Sequence, residues 1–150
     1  MPVPGPSAQA RAVVTGASQN IGEALAVELA RRGHHLIITA RREEVLNALA
    51  ERLRAEFGVA TEVLVADLTT DEGTDAAASR LSDPTRPVEV LVNNAGIGLD
   101  LDFAKNDIAV EERHLDLHVR ATMLLTHAAL QPMLARGHGR IINVASVAAF

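Results

Sequence analysis

One hundred and fifty residues, 48% hydrophobic and 22% charged, suffice for one domain with a buried core and exclude a disordered or fibrous chain. A formal net charge of −5 gives no general attraction to nucleic acid or to an acidic membrane. No apolar run approaches the roughly 18–20 residues of a spanning helix, so neither partner is expected and the cytoplasm is the default location. The absence of Cys, Trp and Tyr removes disulfides, thiolate metal sites, a cysteine nucleophile and any phenol acid or base from within these residues, and no metal is expected.

Residues 1–10, with Pro2, Pro4, Gly5 and Pro6, read as a flexible leader without the apolar core of a secretion signal. The apolar run Arg11 to Thr15 predicts a short strand ending at Gly16. Ile21, Leu25 and Leu29 recur every four residues and predict one face of a helix that Gly33 closes. Leu36 to Ala40 is continuously apolar, as a strand buried on both sides is. Val45, Leu49, Leu53 and Phe57 predict a second helix ending at Gly58, followed by a strand over Thr61 to Ala66. An Ala-rich helix over Asp71 to Leu81 and a loop marked by Pro84 and Pro87 precede a strand over Val88 to Val92. A long helix is predicted from about Asp107 to Arg136, kinked near Pro132, and a fifth strand over Arg140 to Ala145. Strands alternating with helices predict an α/β fold, an open doubly wound parallel sheet with right-handed crossovers. Ligands of such sheets bind outside the carboxyl ends of the strands.

Each of those ends carries polar or small residues. The first strand is followed by Thr15-Gly16-Ala17-Ser18-Gln19-Asn20-Ile21-Gly22, where small residues and a helix N-terminus suit a pyrophosphate, although any tight strand-to-helix turn also favours Gly. After the second strand stand Arg41 and Arg42, where an NAD site places an acidic residue for the ribose hydroxyl. A cation there suits a 2′-phosphate, with Arg the better bidentate donor; alternatively both pair with Glu43 and Glu44. Asp67 and Leu68 follow the third strand, where the carboxylate can accept from an adenine amino group or prepare the next helix. Asn93-Asn94-Ala95-Gly96 follows the fourth, suited to present backbone to a ribose or simply to turn the chain. Ser146 follows the fifth, facing a substrate carbonyl or capping a helix.

Taken together, TGASQNIG, ITARRE, ADL, LVNNAG and GRIINVAS resemble the short-chain dehydrogenase/reductase family over residues 11 to 150, with Asn-Asn-Ala-Gly the most specific piece. The resemblance implies a partial Rossmann-like domain with strands in the order 3-2-1-4-5, the later strands and helices being absent. It implies a nicotinamide cofactor, NADP(H) rather than NAD(H), and hydride transfer to or from a small carbonyl or alcohol substrate. Gly16, Ser18, Gln19, Asn20, Ile21 and Gly22 would hold the pyrophosphate and adenosine ribose, Arg41 the 2′-phosphate, and Asp67 and Leu68 the adenine. Asn94, Ala95 and Gly96 would meet the nicotinamide-side sugar, and Ser146 the reacting oxygen. The complete family member is expected to be a homo-oligomer.

Several features depart from the family. Asn20 replaces a glycine, a substitution that Asn tolerates best among residues with a side chain. Gln19 stands where users of NADP often have a cation. His118 stands where the family has a catalytic Asn, as a substitute relay or, the preferred reading, as an ordinary polar surface residue. The family's Tyr acid/base and nearby Lys belong beyond Phe150, and these residues contain no Tyr. The expectation is a cofactor-binding half that binds NADPH weakly and does not turn over. A non-catalytic nucleotide-binding fragment is the alternative, and a methyltransferase of similar fold leaves Asn-Asn-Ala-Gly unexplained.

Overall fold

A computed structural model describes residues 11–99 and 102–146; the leader expected over 1–10 lies outside them. In chain order the elements are β1 (Arg11–Thr15), α1 (Asn20–Arg31), β2 (His35–Ala40), α2 (Glu43–Phe57), β3 (Thr61–Val65), α3 (Asp71–Ser82) and β4 (Val88–Asn93). A 3₁₀ turn (Phe103–Lys105), α4 (Ile108–Leu115), a π-helical segment (Asp116–Ala121), α5 (Thr122–Arg136) and β5 (Arg140–Asn143) complete it. All pairings are parallel, in the order β3-β2-β1-β4-β5. This is the expected α/β architecture, with β1 at the centre.

Side chains alternate across a strand, and the sheet uses that alternation to fill two cores. Ala12, Val14, Leu36 and Ile38 pack with Ala26, Leu29 and Ala30 of α1 and Leu46, Leu49 and Leu53 of α2. Val13, Ile37 and Leu91 point the other way, onto Ala77 and Leu81 of α3 and Leu125, Ala129 and Met133 of α5. Two helical faces differ from expectation. The buried residues of α1 are Gly22, Ala26, Leu29 and Ala30, whereas Ile21 is 59% exposed. Those of α2 are Leu46, Leu49, Ala50 and Leu53, with Phe57 packed against the same core, so the expected row holds from Leu49 on and Leu46 takes the place of Val45.

The long helix also differs. It runs from Ile108 to Arg136, remains α-helical through Pro132, and has its irregularity at the π-helical segment instead. Leu117, Ala121, Leu125, Ala129 and Met133, each four residues after the last, are all buried in one core. Four residues advance about 400° in an α-helix, so such a row drifts about 40° per step. The wider π turn offsets that drift where the helix passes the strand ends, a placement common at functional sites.

Candidate functional site

The carboxyl ends of β1, β2, β3 and β4 surround a cleft of about 380 Å³. Gly16, Ser18, Gln19, Asn20, Ile21, Gly22, Arg41, Asp67, Leu68, Asn94, Ala95 and Gly96 all line it, as do Arg42, expected beside Arg41, and Thr39, Ile97, Arg113 and Leu117, which sequence reasoning did not place there. Ile21 is therefore exposed because it forms cleft wall rather than core. Ser146 lies past the end of β5, exposed and outside this lining.

The turn after β1 is held by backbone approach too close for side chains. Gly16 has φ +67, and a Cβ there would stand 2.8 Å from Ala95 Cα. A Cβ on Gly22 would stand 2.1 Å from Gly16 O and 2.5 Å from Asn94 Nδ2. Asn20 adopts φ 51, the left-handed conformation its position demands. Gln19 gives α1 no side-chain cap, and Asn20, Ile21 and Gly22 of its first turn line the cleft, which sets the positive dipole end of the helix at the cleft.

Thr15 joins this turn to the one after β4. Its hydroxyl is buried, donates to Val92 O (3.3 Å) and accepts from the Asn94 and Ala95 amides (2.9 Å each). Asn94 Nδ2 returns the link by donating to Thr15 O (2.9 Å) and Gly16 O (3.3 Å). Asn93 is buried beneath, donating to Thr126 Oγ1 (3.1 Å) and Asn143 Oδ1 (2.9 Å). The two amides thus do different work: Asn93 ties β4 to β5 and α5, and Asn94 ties it to β1.

Neither arginine after β2 pairs with Glu43 or Glu44 among the described residues. Arg42 reaches back over the first turn and donates through Nη2 to Gln19 Oε1 (2.8 Å), with Ser18 O and Oγ each at 3.4 Å. A guanidinium therefore stands beside Gln19, where the turn itself lacks a cation. Arg41 is exposed at the cleft edge and makes no hydrogen bond or ion pair among the described residues. Burial pushes the Asp67 carboxyl up, but the Thr69 amide and hydroxyl (3.0 and 2.8 Å) and the fields of Arg41 and Arg113 outweigh it and hold it below the usual value. Asp67 thus both prepares α3, through Thr69 and Thr70, and offers an ionised carboxylate to the cleft.

His118, in the π-helical segment, is no free surface group. Its Nε2 lies 3.1 Å from Ile97 N and 2.9 Å from Ile97 O, just past the turn after β4. The His114 ring lies beside it, centroids 4.3 Å apart.

Uncapped helix amides, two guanidiniums, a carboxylate and the apolar walls of Ile21 and Leu68 make a donor set that fits a phosphorylated dinucleotide. The hydroxyl of Thr39, buried in the same wall without a hydrogen-bond partner among the described residues, adds an unspent polar atom.

A doubly wound parallel sheet whose first strand passes through a glycine turn into a helix N-terminus is the architecture of dinucleotide-binding folds. The profile of the short chain dehydrogenases matches residues 10–150, and the chain belongs to that family. It is 33% identical to the 3-oxoacyl-[acyl-carrier-protein] reductase of Aquifex aeolicus over 138 residues, which are 92% of this chain and 56% of that protein. A short-chain dehydrogenase from Sphingobium yanoikuyae, solved in complex with NADPH, superimposes with a TM-score of 0.89 at 39% identity, covering 92% of this chain and 54% of that one. The bulky-bulky ketone specific alcohol dehydrogenase of Comamonas testosteroni does so with 0.89 at 36%, covering 92% and 55%. The chain thus spans little more than half the length of these relatives. Family membership sets the methyltransferase reading aside. Among the described residues no helix is long and apolar enough to cross a membrane.

Proposed function

We propose that this chain is the cofactor-binding part of an NADP(H)-dependent short-chain oxidoreductase acting on a small carbonyl or alcohol substrate. The cofactor, when bound, supplies or accepts the hydride. Ser18 and the first-turn amides of α1 hold the pyrophosphate, with Gly16 and Gly22 keeping the backbone close and Gln19, Asn20 and Ile21 shaping the ribose side. Arg41 meets the 2′-phosphate, and Arg42, fixed over Gln19, supplies a second positive charge beside it. Asp67 and Leu68 bind the adenine, and Asn94, Ala95 and Gly96 the sugar on the nicotinamide side. Ser146 orients the reacting oxygen.

The observation that carries the choice of NADP(H) is Arg41, exposed at the end of β2 without a partner among the described residues, where an NAD site calls for a carboxylate. The NADPH bound in the Sphingobium relative supports the same reading. Because these 150 residues contain no Tyr, they bind cofactor without turnover on their own, and carbonyl reduction by the purified chain overturns that part. The cofactor choice is tested by titrating the chain with NADPH and NADH and following nicotinamide fluorescence. A charge-assisted contact to the extra phosphate favours NADPH by about tenfold or more, and Arg41→Asp narrows or reverses the ratio. Equal affinities in the native chain, or an unchanged ratio in the variant, refute it.

A further inference from the structure

We infer that His118 is a positioning residue that holds the Gly96–Ile97 wall of the cleft through one ring nitrogen shared between two competing backbone partners. The inference rests on the cofactor reading above only for its functional consequence. Nε2 stands within hydrogen-bond distance of both the amide and the carbonyl of Ile97, at 3.1 and 2.9 Å. One ring nitrogen carries either a proton or a lone pair, so it serves one of these groups at a time. The Ile97 N–H has a single direction and points at Nε2, whereas the Ile97 carbonyl has two lone pairs and, in this exposed contact, can also take water as a donor. The resting arrangement is therefore the tautomer with its proton on Nδ1 and Nε2 accepting from the Ile97 amide.

The packing makes this contact a constraint on the cleft. A Cβ on Gly96 would stand 2.9 Å from His118 Cε1, so the ring lies directly against that backbone. Gly96 and Ile97 both line the cleft. The neighbouring Leu117 is buried in the core, which fixes the π-helical segment that presents His118. A change at residue 118 is therefore transmitted to the cleft wall without the side chain belonging to the lining itself.

The side chain that completes this arrangement is Gln. Its amide reaches about as far from the backbone as Nε2 does, and it presents a donor and an acceptor together. His118→Gln thus serves both Ile97 groups, whereas His118→Leu serves neither. Two measurements on the full chain test this. In amide hydrogen exchange without cofactor, Ile97 stays protected in the native chain and in His118→Gln and exchanges about three- to tenfold faster in His118→Leu. In NADPH titration, His118→Gln binds as tightly as the native chain or tighter, and His118→Leu binds about three- to tenfold more weakly. Ile97 exchange that is the same in all three proteins overturns the inference, and so does His118→Gln behaving like His118→Leu. Should the native chain bind no NADPH, the cofactor reading fails alone, because the exchange measurement still decides the role of His118.

Discussion

Gly22→Ala is a test in which two effects oppose each other in sign. Gly22 lies in the first turn of α1, and at an unobstructed helical position Ala is about 1 kcal/mol more favourable than Gly. Here the added methyl would meet Gly16 O at 2.1 Å, Asn94 Nδ2 at 2.5 Å and Gly16 C at 2.8 Å, where ordinary contact begins at 3.4 Å. Two of those atoms are backbone, and the third is held by its bonds to Thr15 O and Gly16 O. The helix must move away from the turn by about an ångström, a distortion of the overpacking kind that costs about 1–3 kcal/mol. With two of the three contacts to fixed backbone the strain lies near the top of that range and outweighs the propensity gain, so urea denaturation should show a net loss approaching about 2 kcal/mol. The same movement withdraws the α1 amides from the pyrophosphate position proposed above, so NADPH affinity is expected to fall at least about tenfold. Gly98→Ala is the control, because a Cβ there meets nothing within 4 Å. Stability that is unchanged or raised in Gly22→Ala, with cofactor affinity retained, would refute the close approach of the two turns.

Three further outcomes follow from the same contacts. Thr15→Val keeps the shape but removes the acceptor of the Asn94 and Ala95 amides, and it lowers stability by about 2–4 kcal/mol in urea denaturation. Asn20→Gly relieves the left-handed strain at φ 51 and raises the urea midpoint by the equivalent of about 0.5–1 kcal/mol, whereas Asn20→Val lowers it. Burial holds the His34 imidazole below its usual value of 6.5; Arg140 and Arg32 reinforce this and Glu89 opposes it. The unfolded chain therefore takes up that proton first, and the stability contributed by neutral His34 is complete above pH 6.5 and lost as the pH falls through the lower folded value. His34→Gln should flatten the decline in urea midpoint just below pH 6.5, above the range where carboxylates such as Glu28, held at about 2 by its bonds to Arg31 and Arg32, begin to contribute.

What was legible in the sequence was local or periodic. Gly58 and Gly137 end their helices in left-handed conformations, and Asn20 takes the positive φ its place in the turn requires, because single residues encode these backbone states. The five strand positions, their order and the twelve cleft residues follow from alternation, turn chemistry and family resemblance together. The remainder depends on long-range packing. Arg42 is expected beside Glu43 and Glu44 if only neighbours in sequence are considered, yet its partners are Ser18 and Gln19, brought near by the pairing of β1 with β2. Thr15 reads as one more strand residue until its hydroxyl meets two amides about eighty positions away. Pro132 marks a possible break by its missing N–H, but the helix is irregular where Leu117 and His118 must satisfy the core and the Ile97 backbone at once. The regular spacing of Leu117, Ala121, Leu125, Ala129 and Met133 is the signal that points there, since an unbroken α-helix carries such a row steadily off its face.

The central claim is that the cleft at the carboxyl ends of the strands holds NADP(H). Titration of the ¹⁵N-labelled chain with NADP⁺, followed by amide chemical shifts, tests it most directly. The account predicts saturable shifts at Gly16, Ser18, Ile21, Gly22, Arg41, Asp67 and Gly96. It also predicts silence at the apolar groove formed by Leu130, Leu134 and Ile141. No saturable shift at the first group, or shifts confined to the second, would contradict it.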